Sequence, residues 1–150
     1  MHVDLGGLRA LVTGSTKGIG RAVANALAAN GAEVAINGRK AADVDAAIEA
    51  IRASLPQARL VAAPGDVATA AGVAAIIGAA GDVDILVNNA GIFEIKDAFA
   101  IPDEDWQRLF ATNVLSGVRL TRHSGRACAT RGLAASFSSP RNPACRSRPR

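Results

Sequence analysis

The chain has 150 residues, 49% of them hydrophobic, and a mean hydropathy of +0.20; that is enough to bury one core and too little for two ordinary domains. A formal net charge of +4 and a pI near 9.8 would suit a nucleic-acid or membrane partner if the charge were evenly spread. It is not: all 13 acids lie at or before Asp105 among 8 Lys or Arg, whereas residues 106–150 hold 9 Arg and no acid.

From the N-terminus, a short apolar run over residues 8–12 stops at a glycine-rich turn, after which Ile19, Val23, Ala26 and Leu27 recur at helical spacing up to Gly31. The unit repeats. "AEVAIN" (32–37) is followed by Val44, Ile48, Ile51 and Leu55 before Pro56, and "RLVAAPGDV" by Val73, Ile76, Ile77 and Ala80. "DILVNNAG" is apolar without alternation, as in a parallel strand buried on both faces. In "IPDEDWQRLFATNVLSGVRLTR", Pro102 and three acids suit a helix N-terminus, and Trp106, Phe110, Val114 and Val118 continue the period. Four alternations of strand and helix predict a doubly wound α/β parallel sheet with right-handed crossovers.

Beyond residue 122 no apolar period of 2 or 3.6 persists, and three of the six prolines fall in the last eleven positions. The expectation is a domain over 1–122 and an irregular, disordered basic tail over 123–150. The tail has one aromatic, Phe137, and no periodic arginine face, so no nucleic-acid partner is expected. Cys128 and Cys145 lack metal-ligand spacing and have only His123 nearby, so no metal site or disulfide framework is expected. "MHVDLGGLRA" has no basic region before an apolar stretch, and Val67–Gly81 falls short of the ~20 apolar residues of a membrane helix. A cytoplasmic protein with no membrane partner is expected.

The turn "TGSTKGIG" (13–20) sets Gly14, Gly18 and Gly20 between the first strand and its helix. Side chains are missing where a diphosphate must approach backbone N–H groups, and the helix N-terminus adds favourable charge. About twenty residues on, where a dinucleotide site often carries an acid for the ribose 2′-hydroxyl, the chain reads "INGRK", with Asn37 ending the strand and Arg39 and Lys40 after it. Arg39, with Lys17 in the loop, suits a 2′-phosphate and favours NADP(H) over NAD(H).

Four features in order, Thr13-Gly14-x-x-x-Gly18-x-Gly20, Asp66-Val67, Asn88-Asn89-Ala90-Gly91 and Asn113, resemble the short-chain dehydrogenases and reductases over residues 8–122. That resemblance implies a Rossmann-like sheet, here incomplete with about four strands, and hydride transfer between nicotinamide and a carbonyl or alcohol carbon. It implies a dinucleotide held by Gly14, Ser15, Thr16, Lys17, Gly18, Ile19 and Gly20, with Asp66 and Val67 at the adenine. Asn88, Ala90 and Gly91 would close the cleft and stabilise the central sheet, and Asn113 would hold a water on a proton relay. A small carbonyl or alcohol substrate and a homo-oligomer are expected of an intact family member.

Hydride transfer needs a general acid/base for the substrate oxygen. The family uses a tyrosine and a lysine four residues later, with a serine, all beyond the asparagine. This chain has no tyrosine, its last lysine is Lys96, and no apolar strand precedes Ser138 or Ser139 in "SFSS". A truncated, inactive member is therefore expected, with weak NADP(H) binding and an exposed "DILVNN" edge; a non-catalytic NADP(H)-binding or subunit-interaction module is the alternative. If the tail serines use codons beginning TC, the frame formed by each third base and the next two bases turns 135–139 into Phe, Leu, Ile or Val. The Ser139-Pro140 junction becomes Ser, Pro, Thr or Ala. A frameshift near residues 123–125 would thus have replaced an apolar strand ending in a small residue.

Overall fold

The structure, a computed structural model, describes residues 3–131 and 135–138, and expectations for residues 139–150, Ser139 and Cys145 included, lie outside the described residues. Strand β1 (Arg9–Val12) leads to α1 (Gly18–Ala29), β2 (Glu33–Ile36) to α2 (Ala41–Ser54), and β3 (Leu60–Ala62) to α3 (Ala70–Ala80). After β4 (Ile85–Asn88) come a 3₁₀ turn (Ala98–Ala100), α4 (Asp103–Phe110), a π-helical turn (Ala111–Leu115), α5 (Ser116–Arg131) and β5 (Ala135–Ser138). All pairings are parallel, in the order β3-β2-β1-β4-β5.

Successive side chains of a strand point to opposite faces, and here both faces are apolar. Ala10 and Val12 of β1 with Val34 and Ile36 of β2 face α1 and α2, meeting Ala24, Ala28, Val44, Ile48 and Ile51. Leu11, Ala35 and Leu86 face the other way, onto Val73 and Ile76 of α3 and Leu120 of α5. Each fully buried branched side chain contributes about 1.5–3 kcal/mol, so the central β1 is held from both layers. Local signals set the helix starts: the Thr69 hydroxyl accepts the Gly72 N–H at 2.9 Å ahead of α3. Asp103, Glu104 and Asp105 occupy the first turn of α4, where the helix dipole favours acids.

One expectation differs from the structure. The stretch expected to be irregular carries α5 as far as Arg131 and a fifth strand, whose Ala135–Ser138 pair in register with Ile85–Asn88. A parallel ladder is made of backbone N–H and C=O groups, so β4 can be covered by a segment with no apolar alternation; "DILVNN" is accordingly an interior strand, with no open edge. The stripe Trp106, Phe110, Val114 and Val118 faces outward: the four are 57%, 54%, 44% and 46% exposed. The periodicity marks one helix face correctly, while the sheet is met by a different one, through Thr112, Ser116 and Leu120.

Among the described residues no helix is long and apolar enough to cross a membrane, and no group of His, Cys, Asp or Glu could hold a metal ion.

Candidate functional site

Because β1 connects outward to β2 and then β3, while β4 returns to the other side of β1, the loops after β1 and β4 part at the carboxyl ends of the strands. In open α/β sheets a ligand crevice forms at this point. The loop after β1 is tightly built. Gly14 has φ +62°, a left-handed conformation that favours glycine, and its Cα faces Ala90 closely. A Cβ on Gly20 would lie 2.5 Å from Asn89 Nδ2 and closer still to the Gly14 carbonyl oxygen. Glycine is required there for the loop to fold back on the start of α1. Lys17, in the N-cap position, supplies no side-chain capping hydrogen bond, and the first turn has no acid. The first N–H groups of α1 therefore present a cradle for an anion, and these residues fit a dinucleotide diphosphate.

Two residues stitch this loop to the one after β4. Thr13, 2% exposed, accepts the N–H groups of Asn89 (3.0 Å) and Ala90 (2.9 Å) on its Oγ1 and donates to the Val87 carbonyl (3.3 Å). Asn89 Nδ2 donates back to the carbonyls of Thr13 (2.9 Å) and Gly14 (3.2 Å). Asn88, of the same motif, points elsewhere: its Nδ2 reaches Thr121 Oγ1 of α5 at 3.4 Å, and its buried Oδ1 has no partner among the described residues.

A third connection joins the loops of β1, β2 and β3. Ser15 Oγ donates to Val12 O and accepts the Asn37 N–H, and Ser15 N–H donates to Asn37 O. Thr16 packs over Gly38, where an added Cβ would lie 2.5 Å from Thr16 Cγ2. Asp66 folds its own turn by accepting the Ala68 N–H at 2.9 Å, and Val67 commits its side chain to the core. Arg119 of α5 holds that turn from the far side, donating to Ala68 O at 3.0 Å.

Asn113 sits in the π-helical turn, a distortion frequent at functional sites. Its Oδ1 accepts the Ile92 N–H at 2.8 Å and its Nδ2 donates to the Ile92 carbonyl at 2.9 Å, so it clamps the backbone next to Gly91. Lys17, Ile19 and Arg39 are exposed, and among the described residues neither cation has an acidic partner. The loop beyond Gly91 is pinned to α4 by an ion network. Lys96 pairs with Glu94 at 2.9 Å and with Asp105, while Arg108 pairs with Glu94 and, at 3.0 Å, with Asp105. Hydrogen bonds from Lys96, then from Arg108, hold both carboxyls below their ordinary range.

The expected residues lie at the carboxyl ends of β1 to β4 and in the loops that follow, with Asn113 in the π-helical turn; the side chains of Val67 and Asn88 turn away from the crevice, and Arg39 is exposed just after β2. Thr13, Asn37, Asn89 and Arg119 were not expected in the site. For Thr13 and Asn89 the signal was present, because both lie inside the quoted motifs; for Arg119 no sequence signal distinguishes it from a solvated helix cation.

A family model described as short chain dehydrogenase matches residues 9–135. An uncharacterized oxidoreductase of Bacillus subtilis is 48% identical over 122 residues, covering 81% of this chain and 46% of that protein. The gluconate 5-dehydrogenase of Gluconobacter oxydans is 44% identical over 115 residues, covering 74% and 44%. Among solved structures, L-sorbose reductase from Gluconobacter frateurii, complexed with NADPH and L-sorbose, superposes with a TM-score of 0.86 at 32% identity, covering 92% of this chain and 54% of that one. The chain spans about half the length of the relatives it matches. Its sheet order, its glycine cradle and the motif match over most of its length lead to one assignment: the chain belongs to the short chain dehydrogenase family.

Proposed function

We propose that this chain binds NADP(H) as the dinucleotide-binding portion of a short chain dehydrogenase and does not by itself turn over a substrate. The observation that carries the reading is the glycine cradle from Gly14 to Gly20, closed by Asn89 and backed by the helix N-terminus. Arg39 and Lys17, exposed and without acidic partners among the described residues, favour a 2′-phosphate over a bare ribose. The Asp66–Thr69 turn takes the adenine end, and Ala90 and Gly91 line the opposite wall, with Asn88 tying β4 to α5 behind them. When bound, the nicotinamide supplies or accepts the hydride of an oxidoreduction between a carbonyl and an alcohol carbon. Proton movement at the substrate oxygen is where this chain falls short. Asn113 can fix a water beside Ile92, but the chain has no tyrosine, and no lysine follows Lys96.

Titration with NADPH and NADH, followed by a panel of ketones with NADPH, tests the reading. Binding that favours NADPH is expected, with turnover at background; turnover well above background overturns the inactivity, and equal affinity for both cofactors overturns the preference. Arg39→Ala should weaken NADPH and leave NADH unchanged. We attribute the missing tyrosine to a frameshift near residues 123–125. Reading the gene in the alternative frame should reveal Tyr-x-x-x-Lys soon downstream, and its absence refutes the frameshift.

A second reading, as a subunit-interaction module, is favoured by the exposed stripe Trp106, Phe110, Val114 and Val118. Co-elution with a full-length family member, lost on Trp106→Glu, would support it, and independent elution would dismiss it.

A further inference from the structure

Asn37 stands at the end of β2, where a dinucleotide site often presents an acid to the ribose 2′-hydroxyl. In this chain the side chain is 1% exposed and engaged inward. Both amide hydrogens are committed, to the Ala63 carbonyl at 2.9 Å and the Gly65 carbonyl at 3.2 Å, and Oδ1 accepts the Gly14 N–H at 3.1 Å. The backbone of Asn37 is also paired in both directions with Ser15. One side chain thus joins the glycine loop after β1 to the turn after β3, immediately ahead of Asp66.

We propose that Asn37 is a positioning residue that fixes the diphosphate loop relative to the adenine turn, and that it is not a ribose ligand. This rests on the reading of the chain as a dinucleotide binder. A dinucleotide spans both loops at once, so a fixed separation lets one rigid ligand satisfy both without ordering either at the moment of binding. Only an amide does this job. Aspartate keeps the acceptor for Gly14 but sets a carboxylate oxygen against two carbonyl oxygens, and serine is too short to span the three groups. A ribose ligand would instead need a free donor or acceptor facing the crevice; both Asn37 donors are used, and its oxygen is buried on the Gly14 N–H.

The test uses the full chain and the variants N37D and N37S, with dissociation constants for NADPH and NADH measured well below each variant's melting temperature. The proposal expects both cofactors to weaken by the same factor, roughly tenfold, the loss of about one buried hydrogen bond's worth of preorganisation. If N37D gains affinity for NADH, Asn37 is a ribose ligand and the proposal is overturned; unchanged affinities with a lowered melting temperature overturn it too. Amide hydrogen exchange of the ligand-free chain supplies a readout independent of cofactor. Gly14 and Gly65 should lose protection together in N37S, and Gly65 in N37D, where Gly14 keeps its acceptor, with Leu11 of β1 unchanged. Faster exchange at Gly14 alone, or loss of protection at Leu11 in both variants, refutes the coupling. Should the wild-type chain bind neither cofactor, the functional reading fails, and the exchange pattern still decides the role of Asn37.

Discussion

Replacing Thr13 by valine tests how the two walls of the crevice are joined. Valine is isosteric and suits a strand end, so the perturbation is the hydroxyl alone. Its loss removes the acceptor for two N–H groups, at 3.0 Å from Asn89 and 2.9 Å from Ala90. These are not equal losses. The Asn89 N–H also points at the Val87 carbonyl at 3.1 Å and keeps that partner. The Val87 carbonyl in turn still accepts the Thr13 N–H at 3.0 Å, so it is not orphaned when the hydroxyl's donation disappears. Ala90 is left as the one stranded donor, and an unsatisfied buried donor costs about 1–3 kcal/mol. With Ala90 only half-buried, about 2 kcal/mol is the expected net destabilisation. That is a large share of the ~5–15 kcal/mol total of a typical domain, and for a chain of this size it lowers Tm by about 4–8 °C. Thermal and urea unfolding of wild type, Thr13→Val and Thr13→Ser measure it, and serine should restore most of the loss. A Thr13→Val protein that melts within about 1 °C of wild type refutes the reasoning.

Gly20→Ala forces a Cβ to 2.5 Å from Asn89 Nδ2 and nearer still to the Gly14 carbonyl; overpacking of this kind costs roughly 1–3 kcal/mol. Cofactor affinity should fall along with Tm, and an unchanged dissociation constant would contradict the cradle. Asn113→Ala is expected to behave differently: Asn113 is exposed, so the freed Ile92 backbone groups meet water, and the stability cost stays below about 1 kcal/mol while exchange at Ile92 quickens. The ion network predicts a pH dependence. Glu94 and Asp105 have folded pKa values lowered chiefly by hydrogen bonds from Lys96, so their stabilisation is present above the unfolded carboxylate range and is lost as pH falls through the lower folded values. Melting of wild type and Lys96→Met across acid pH should show a small difference near neutrality that vanishes in acid and shrinks in high salt. A difference that grows in acid would contradict the assignment.

The apolar runs were legible because β1, β2 and β4 are covered on both faces, so sequence hydrophobicity and burial coincide at Leu11, Val34 and Leu86. The helix at 103–118 shows where that equivalence ends. Trp106, Phe110, Val114 and Val118 share a face by periodicity, yet periodicity carries no information about what lies opposite a face, and these four are exposed among the described residues. β5 was missed for the converse reason: its ladder with β4 is made of backbone groups, to which side-chain alternation is blind. The polar residues of the site divide similarly. The glycines were readable because a missing side chain has few uses at a strand–helix turn. An asparagine has many: Asn37, Asn88, Asn89 and Asn113 offer the same donors and acceptor, but spend them on two loops at once, on a neighbouring helix, on the glycine loop and on Ile92. Residue type and position are shared by the ligand-binding and the scaffold-holding asparagine, and only the hydrogen-bond partner, a tertiary fact, separates them. The two asparagines that brace the glycine loop, Asn37 and Asn89, were accordingly the ones outside the expected cofactor set, since nothing in a sequence motif records which of its members turns inward.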